Sequence, residues 1–375
     1  MDFIQKTLIG IVLVLMPWMA LTAGQAKYVE HVLLYQSVDQ HGDSLTLSGK
    51  VTVPTKEPKG VILIPHYTIA SNDEVPSNSD KGEQQYFRDD YILVMPDYLG
   101  YGASRDRVHP YLHGELTARN CVDMLLAAQP VIDSLVVESG KWKVESSIDT
   151  ISILGYSQGG ATALWILKLL EEEYADRIHV KACYAGSGPY DVAATYDVAI
   201  AENKVGMPMV IPMLVMGTSE AYDLNLQRDI FLTPYMDSLY DDYVTSKSHK
   251  FTELYFKMLN HKVSHWLSEK GMDLSQPETR KLYEGMLRSS LVHMTTDPNE
   301  RVCPDWRPKT KVYVMHSYKD GIVTFRCAES LRQCWGNLEN VTYDFGNYGS
   351  HLRSAKRFYK VVKKKLLVES RKQIR

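Results

Sequence analysis

Thr150-Ile151-Ser152-Ile153-Leu154-Gly155-Tyr156-Ser157-Gln158-Gly159-Gly160-Ala161-Thr162-Ala163-Leu164 decides how this chain of 375 residues is read. Its first five residues are a short apolar run, as expected of a strand buried on both faces of a parallel sheet. From Ala161 the pattern turns rich in leucine and glutamate and predicts a helix over 161–174. Between the two lies a G-x-S-x-G sequence, which in a strand-turn-helix setting forms a sharp elbow that lifts a serine above the sheet. So tight a turn leaves no room for a side chain at Gly155 or Gly159, and it holds Ser157 in a strained backbone conformation. A glycine-serine pattern alone arises by chance. The buried strand before it and the apolar helix after it make Ser157 a candidate nucleophile.

The rhythm of strand and helix continues on both sides. Residues 28–37 and 45–53 read as an antiparallel pair, with His41-Gly42-Asp43 as the turn. Residues 61–64 and 91–95 are short apolar runs, 115–137 predicts a helix with Pro130 inside it, and 180–184 is a further buried strand. Strands alternating with helices imply an α/β fold, a mostly parallel central sheet flanked by helices. After Gly186-Ser187-Gly188-Pro189 the pattern changes to helices and loops, including 251–268 and 278–292, and residues 189–305 hold nine of the fifteen methionines. Strands resume at 311–315 and 341–345, before a C-terminal helix from about His351. The expected organisation is a signal peptide (1–26), a core (27–188), a helical cap (189–305) inserted after the sixth strand, and the remainder of the core (306–375).

Composition sets the outer bounds. Hydrophobic residues make up 45% and charged residues 23%, which supports a buried core and argues against a disordered or collagen-like chain. The 42 basic and 45 acidic residues leave a formal charge of -3, with no field that favours nucleic acid as a partner. Five cysteines without a C-x-x-C pair argue against a structural zinc site; in an oxidising compartment Cys327 and Cys334 can pair, or either can join Cys303. Residues 8–21 are apolar apart from Gly10 and Pro17 and are followed by small residues, which predicts a secretory signal cleaved after Ala23 or Ala26. A secreted or periplasmic protein is expected, with no stable membrane span after signal removal.

A serine hydroxyl needs a base to take its proton, and the base needs an orienting acid. In a strand-elbow-helix architecture the acid, and then the histidine, follow the serine along the chain. Asp320 falls just past the 311–315 strand and His351 just past the 341–345 strand. Both therefore sit at the C-terminal ends of strands, where ligands gather in open α/β sheets. The rivals are worse placed: Asp344 lies on a strand, Asp305 precedes one, and His316 comes before the acid.

Gly155-Tyr156-Ser157-Gln158-Gly159, Asp320-Gly321-Ile322-Val323 and Gly349-Ser350-His351 together resemble the α/β-hydrolase superfamily. Pro96-Asp97-Tyr98-Leu99-Gly100-Tyr101-Gly102 and the insertion after Gly188-Pro189-Tyr190-Asp191 are similar to its secretory lipase and esterase branch, whose members carry helical caps. The resemblance implies a serine hydrolase acting on small-molecule carboxylic esters through an acyl-enzyme, with no metal or organic cofactor. Acyl transfer also needs amide donors aimed at the oxyanion. One is expected at Gln158, directly after the nucleophile, and a second in Pro65-His66-Tyr67-Thr68, at Tyr67, where relatives often carry glycine. Asp97 is the fallback donor, or else a turn stabiliser. Trp266, Tyr255, Phe256 and Tyr235, with the methionines, suit an apolar pocket beneath the cap.

Two other readings stand beside this one. A capped serine aminopeptidase would use Glu220 or Asp223 to hold a substrate amine, and a binding protein would keep the elbow without catalysis. His261 and His265 have the i, i+4 spacing of a zinc pair on the predicted 251–268 helix, but Lys262 stands where a metalloprotease motif needs glutamate.

Overall fold

The structure, a computed structural model, describes residues 27–139, 148–297 and 299–373. The signal peptide expected at 1–26 lies outside them. Among the described residues eight strands form one sheet: β1 (Tyr28–Val38), β2 (Ser44–Pro54), β3 (Val61–Leu63), β4 (Ile92–Pro96), β5 (Thr150–Tyr156), β6 (His179–Gly186), β7 (Lys311–Ser317) and β8 (Val341–Gly346). They lie in the order β1-β2-β4-β3-β5-β6-β7-β8. β2 runs antiparallel to both of its neighbours, and every other adjacent pair is parallel.

The helices are α1 (Gly114–Ser139), which runs through Pro130, and α2 (Gln158–Glu173). Between β6 and β7 come α3 (Val192–Glu202), α4 (Val210–Ala221), α5 (Arg228–Phe231), α6 (Pro234–Tyr240), α7 (Phe251–Lys257), α8 (Glu269–Met272) and α9 (Pro277–Ser289); α10 (Arg326–Trp335) and α11 (His351–Gln373) follow. Successive strand residues point to opposite faces, so each parallel strand must feed two cores. Ile151 and Ile153 pack with α1 and α2, whereas Leu154 and Tyr156 pack with Phe358, Tyr359 and Val362 of α11. That is why these strands read as unbroken apolar runs. The helices α3–α9 have their own apolar cluster, which includes Met207, Met209, Met213, Met236, Met258 and Met286 and meets the rest of the protein at Ala70, Tyr111 and Leu112.

One expected helix is corrected. Residues 251–268 do not form a single helix: α7 ends at Lys257, and Met258 leaves helical geometry at φ -97°, ψ 71°. Asn260 breaks the run by bonding locally, its side chain accepting from the Lys262 amide at 3.0 Å and its carbonyl from the Trp266 indole at 2.5 Å. Of the cysteine pairings left open by sequence, Cys303–Cys334 is the one formed, while Cys121, Cys183 and Cys327 are free and buried.

Candidate active site

β5 ends at Tyr156, and the amide of the next residue, Ser157, donates to the Gly186 carbonyl on β6 at 2.8 Å. Ser157 sits at φ 57°, ψ -126°, a conformation that residues with side chains rarely adopt. The flanking glycines make room for it. A Cβ at Gly155 would fall 1.9 Å from the Gly159 carbonyl oxygen, and one at Gly159 would fall 2.1 Å from that of Pro65. The second approach matters here, because it lets the loop after β3 cross directly against the start of α2.

Gln158 opens α2, so its backbone N–H has no carbonyl one turn back, and among the described residues nothing accepts from it. Its side-chain Nε2 lies 2.9 Å from His109 Nε2, and His109 Nδ1 lies 2.7 Å from the Leu99 carbonyl oxygen. Burial pushes His109 down to about 3. The neutral ring therefore donates from Nδ1 to the carbonyl and accepts the Gln158 amide at Nε2.

Asp320 and His351 come together in the loops after β7 and β8. Asp320 Oδ1 accepts the amides of Ile322 and Val323 at 3.0 Å each, and Oδ2 lies 2.6 Å from His351 Nδ1. Burial alone would raise the Asp320 carboxyl; the His351 and His316 rings and the Ile322 amide outweigh it and hold the group below the usual carboxylate range. An ionised acceptor keeps the His351 proton on Nδ1 and leaves Nε2 free to accept. The loop is braced from beneath: the Tyr156 hydroxyl donates to the His351 carbonyl at 2.7 Å, and Ser317 Oγ donates to the Gly349 carbonyl at 2.7 Å.

Ser157, Gln158 and His351 line one cavity of about 720 Å³. His351 and Asp320 are thus joined by a hydrogen bond, and Ser157 meets them through the shared cavity; among the described residues its hydroxyl makes no hydrogen bond. The rivals are accounted for elsewhere. Asp344 accepts from the hydroxyls of Tyr313 and Tyr348, Asp305 is exposed, and His316 is buried with Nε2 3.1 Å from the Val323 carbonyl oxygen. The apolar wall is not the expected set of Trp266, Tyr255, Phe256, Tyr235 and methionines: Trp266 is core of the α3–α9 segment, Phe256 is 72% exposed, and the wall comes from Leu112, Val210, Leu214, Phe251, Ile322 and Val323.

The expected donor at Tyr67 is also corrected. The Tyr67 amide donates to Glu83 Oε1 at 3.2 Å and is already engaged. The next amide, that of Thr68, has no acceptor among the described residues, and Thr68 lines the cavity. At Asp97 the amide donates to the Ser48 carbonyl at 3.0 Å, and the carboxylate accepts from Ser48 Oγ at 2.6 Å and the Ser77 amide at 2.9 Å, which makes it a turn stabiliser. Glu220 accepts from the Gln40 side chain and Asp223 lies beside His41, so neither faces the cavity; the carboxylates that line it are Glu74 and Glu83. His261 turns its Nδ1 to the Val205 carbonyl and His265 packs on Tyr235 and Trp266, so the pair does not share a helix face. Among the described residues no group of three or more histidine, cysteine or acidic side chains could hold a metal ion.

No family model matches the sequence, and no curated protein matches it. Solved structures do. A Legionella pneumophila protein assigned as a hydrolase superposes with a TM-score of 0.74 at 20% identity, covering 90% of this chain and 88% of its own. The rice cell wall degrading esterase LipA of Xanthomonas oryzae gives 0.71 at 19% identity over 92% and 90% of the two chains. Candida antarctica lipase A in its closed state gives 0.61 at 15% identity over 87% and 74%. The chain has the α/β-hydrolase fold.

Within this fold, three residues that shape the site carry no motif of their own in the sequence: Thr68, His109 and Tyr156. Thr68 follows the expected donor Tyr67 directly, and its signal in the sequence is His66, an imidazole in an apolar loop that needs a nearby acceptor and finds the Tyr67 carbonyl at 2.6 Å. His109 and Tyr156 act on partners 49 and 195 positions away, for which no local pattern exists.

Proposed function

We propose that the chain is an exported serine hydrolase that cleaves carboxylic esters through an acyl-enzyme on Ser157. The observation that carries the reading is the 2.6 Å His351–Asp320 hydrogen bond beside the cavity that Ser157 shares. Ser157 Oγ attacks the acyl carbon while His351 Nε2 takes its proton, and Asp320 holds the ring by Nδ1–H and stabilises the imidazolium. The tetrahedral oxyanion accepts from the amides of Gln158 and Thr68. Its collapse breaks the acyl C–O bond, and the alcohol leaves with the proton from His351. A water then gives a proton to His351 as its oxygen attacks the acyl carbon; the acid departs and Ser157 regains its proton.

Leu112, Ile322 and Val323, with Val210 and Leu214 from the helices between β6 and β7, suit an apolar acyl group, and those helices serve as the cap. The esterase and lipase among the structural neighbours support an ester rather than an amide as substrate. The Cys303–Cys334 disulfide supports export, because disulfides persist in oxidising compartments.

Ser157→Ala tests the reading. Hydrolysis of p-nitrophenyl acyl esters is expected to fall by about 10⁴- to 10⁶-fold, with fluorophosphonate labelling abolished and the far-ultraviolet circular dichroism unchanged. Activity retained in a clean preparation refutes the assignment. Faster turnover of aminoacyl p-nitroanilides than of esters would favour the peptidase reading, and a wild-type protein that takes no label would favour the binding protein.

A further inference from the structure

Two successive peptide planes cross the loop after β3, and three of their four polar groups are tied. The His66 carbonyl accepts from the Tyr98 hydroxyl at 3.0 Å, the Tyr67 amide donates to Glu83 Oε1 at 3.2 Å, and the Tyr67 carbonyl lies 2.6 Å from His66 Nδ1. The fourth group, the Thr68 amide, has no acceptor among the described residues. A trans peptide is planar, so fixing a carbonyl also fixes the opposed direction of the next N–H; no peptide here is cis. We propose that Glu83 is a positioning residue for the oxyanion site: it holds the Tyr67 amide while His66 holds the Tyr67 carbonyl, and so aims the Thr68 N–H into the cavity. This inference rests on the ester-hydrolase reading of Ser157.

Glu83 reaches the loop from a separate element, the 3-10 turn Glu83–Tyr86, which Gln84 Nε2 anchors on the carbonyls of Ser79 and Lys81 at 2.7 and 2.9 Å. The other grip is braced by stacking of the His66 ring on Tyr98 at 3.9 Å; burial pushes His66 down to about 4, so the neutral ring has one N–H, and it donates from Nδ1 to the Tyr67 carbonyl at 2.6 Å rather than from Nε2 to the more distant Asp97 carbonyl. Its surroundings set Glu83 apart from the other carboxylates near the site. Glu74 Oε2 accepts three amides, from Ala70, Ser71 and Phe251, and Asp320 has two amides and His351. From the oxyanion loop Glu83 receives the Tyr67 amide alone, although it is 6% exposed, and burial pushes it up to about 7. A wall position with no other duty favours an apolar side chain, because burying a carboxyl is unfavourable.

Glu83→Leu removes the acceptor, Glu83→Asp withdraws it by one methylene while keeping the charge, and Glu83→Gln keeps an acceptor oxygen at the same reach. Each is compared with wild type for kcat and KM on a p-nitrophenyl ester and for affinity to a trifluoromethyl ketone analogue, whose adduct carries the oxyanion. Removing an oxyanion donor outright costs about 10²- to 10³-fold in kcat, so a misaimed one is expected to cost roughly 10- to 100-fold. E83L and E83D are expected to lose that much in kcat, with KM within about twofold and the ketone weakened in parallel, while E83Q stays within about threefold of wild type. Should E83L fail to fold, E83D and E83Q decide. Wild-type kcat and ketone affinity in E83D overturn the proposal, as does a loss confined to KM. If S157A still turns over, the ester-hydrolase reading itself has failed; if S157A is dead and E83D is unaffected, only the role of Glu83 has.

Discussion

Glu83 is one of the buried groups through which the stability of this protein depends on pH. Burial raises Glu83 from its ordinary 4.5 to about 7. Between those values the folded chain holds a proton that the unfolded chain has released, so folding is favoured by this group below 4.5 and the contribution is lost as pH rises through about 7. At 1.36 kcal/mol per pKa unit the swing is about 3 kcal/mol. E83Q does not titrate, so its stability relative to wild type is expected to rise by up to about 3 kcal/mol between pH 4 and pH 8, measured by urea melts at each pH. A constant difference across that range would mean that the Glu83 carboxyl stays solvated. At this scale residue type and order along the chain were enough to expect the meeting of Asp320 and His351 in one hydrogen bond beside a cavity that Ser157 lines. The sequence was opaque at Glu83, because a glutamate that serves a backbone amide sixteen positions away leaves no pattern along the chain.

Among the elements, the segment between α6 and α7 is pinned to the core by backbone groups. Lys247 Nζ donates to the carbonyls of Gly100, Arg105 and Arg107 at 2.5 to 2.6 Å, and the Lys247 carbonyl accepts from the Asn72 amide at 2.9 Å. Glu74, from the loop after β3, accepts the Phe251 amide at 2.9 Å at the start of α7. An ammonium held by carbonyls is poorly compensated for its burial, which pushes Lys247 down to about 8. Lys247→Met would leave three carbonyls without their donor, at a cost of about 1–3 kcal/mol. Hydrogen exchange is expected to quicken in α6 and α7 while β5 and α2 keep their protection. Unchanged exchange would mean that the apolar contacts of Met236, Tyr240 and Leu254 suffice. Strands and long helices were readable here because periodicity reports burial, and the 251–268 helix was not, because Asn260 bonds to its own neighbourhood in a way that hydrophobic spacing does not register.

Over the whole molecule, the return of the chain from the α3–α9 segment to the sheet is secured twice. Asp191, at the start of α3, and His293, after α9, form a buried pair at 2.7 Å that closes the segment where it leaves and rejoins the core. Cys303 then bonds Cys334 of α10 across a separation of 31 residues, and β7 and Asp320 lie between them. Topology explains why positions 157, 320 and 351 could be placed at one rim from their order alone: parallel strands present their C-terminal ends on the same edge of a sheet. The disulfide is a different matter, since it acts mainly on the unfolded chain. In the chain-entropy account a loop of this length contributes about 3–4 kcal/mol. Cys303→Ser with Cys334→Ser is expected to lose about that much stability in urea melts while keeping kcat at 25 °C close to wild type, because β6 and β8 still hold β7 through the sheet. Protein made in a reducing cytoplasm should behave like the double variant and regain stability on oxidation. A fall in kcat without a fall in stability would instead make the disulfide a support for Asp320.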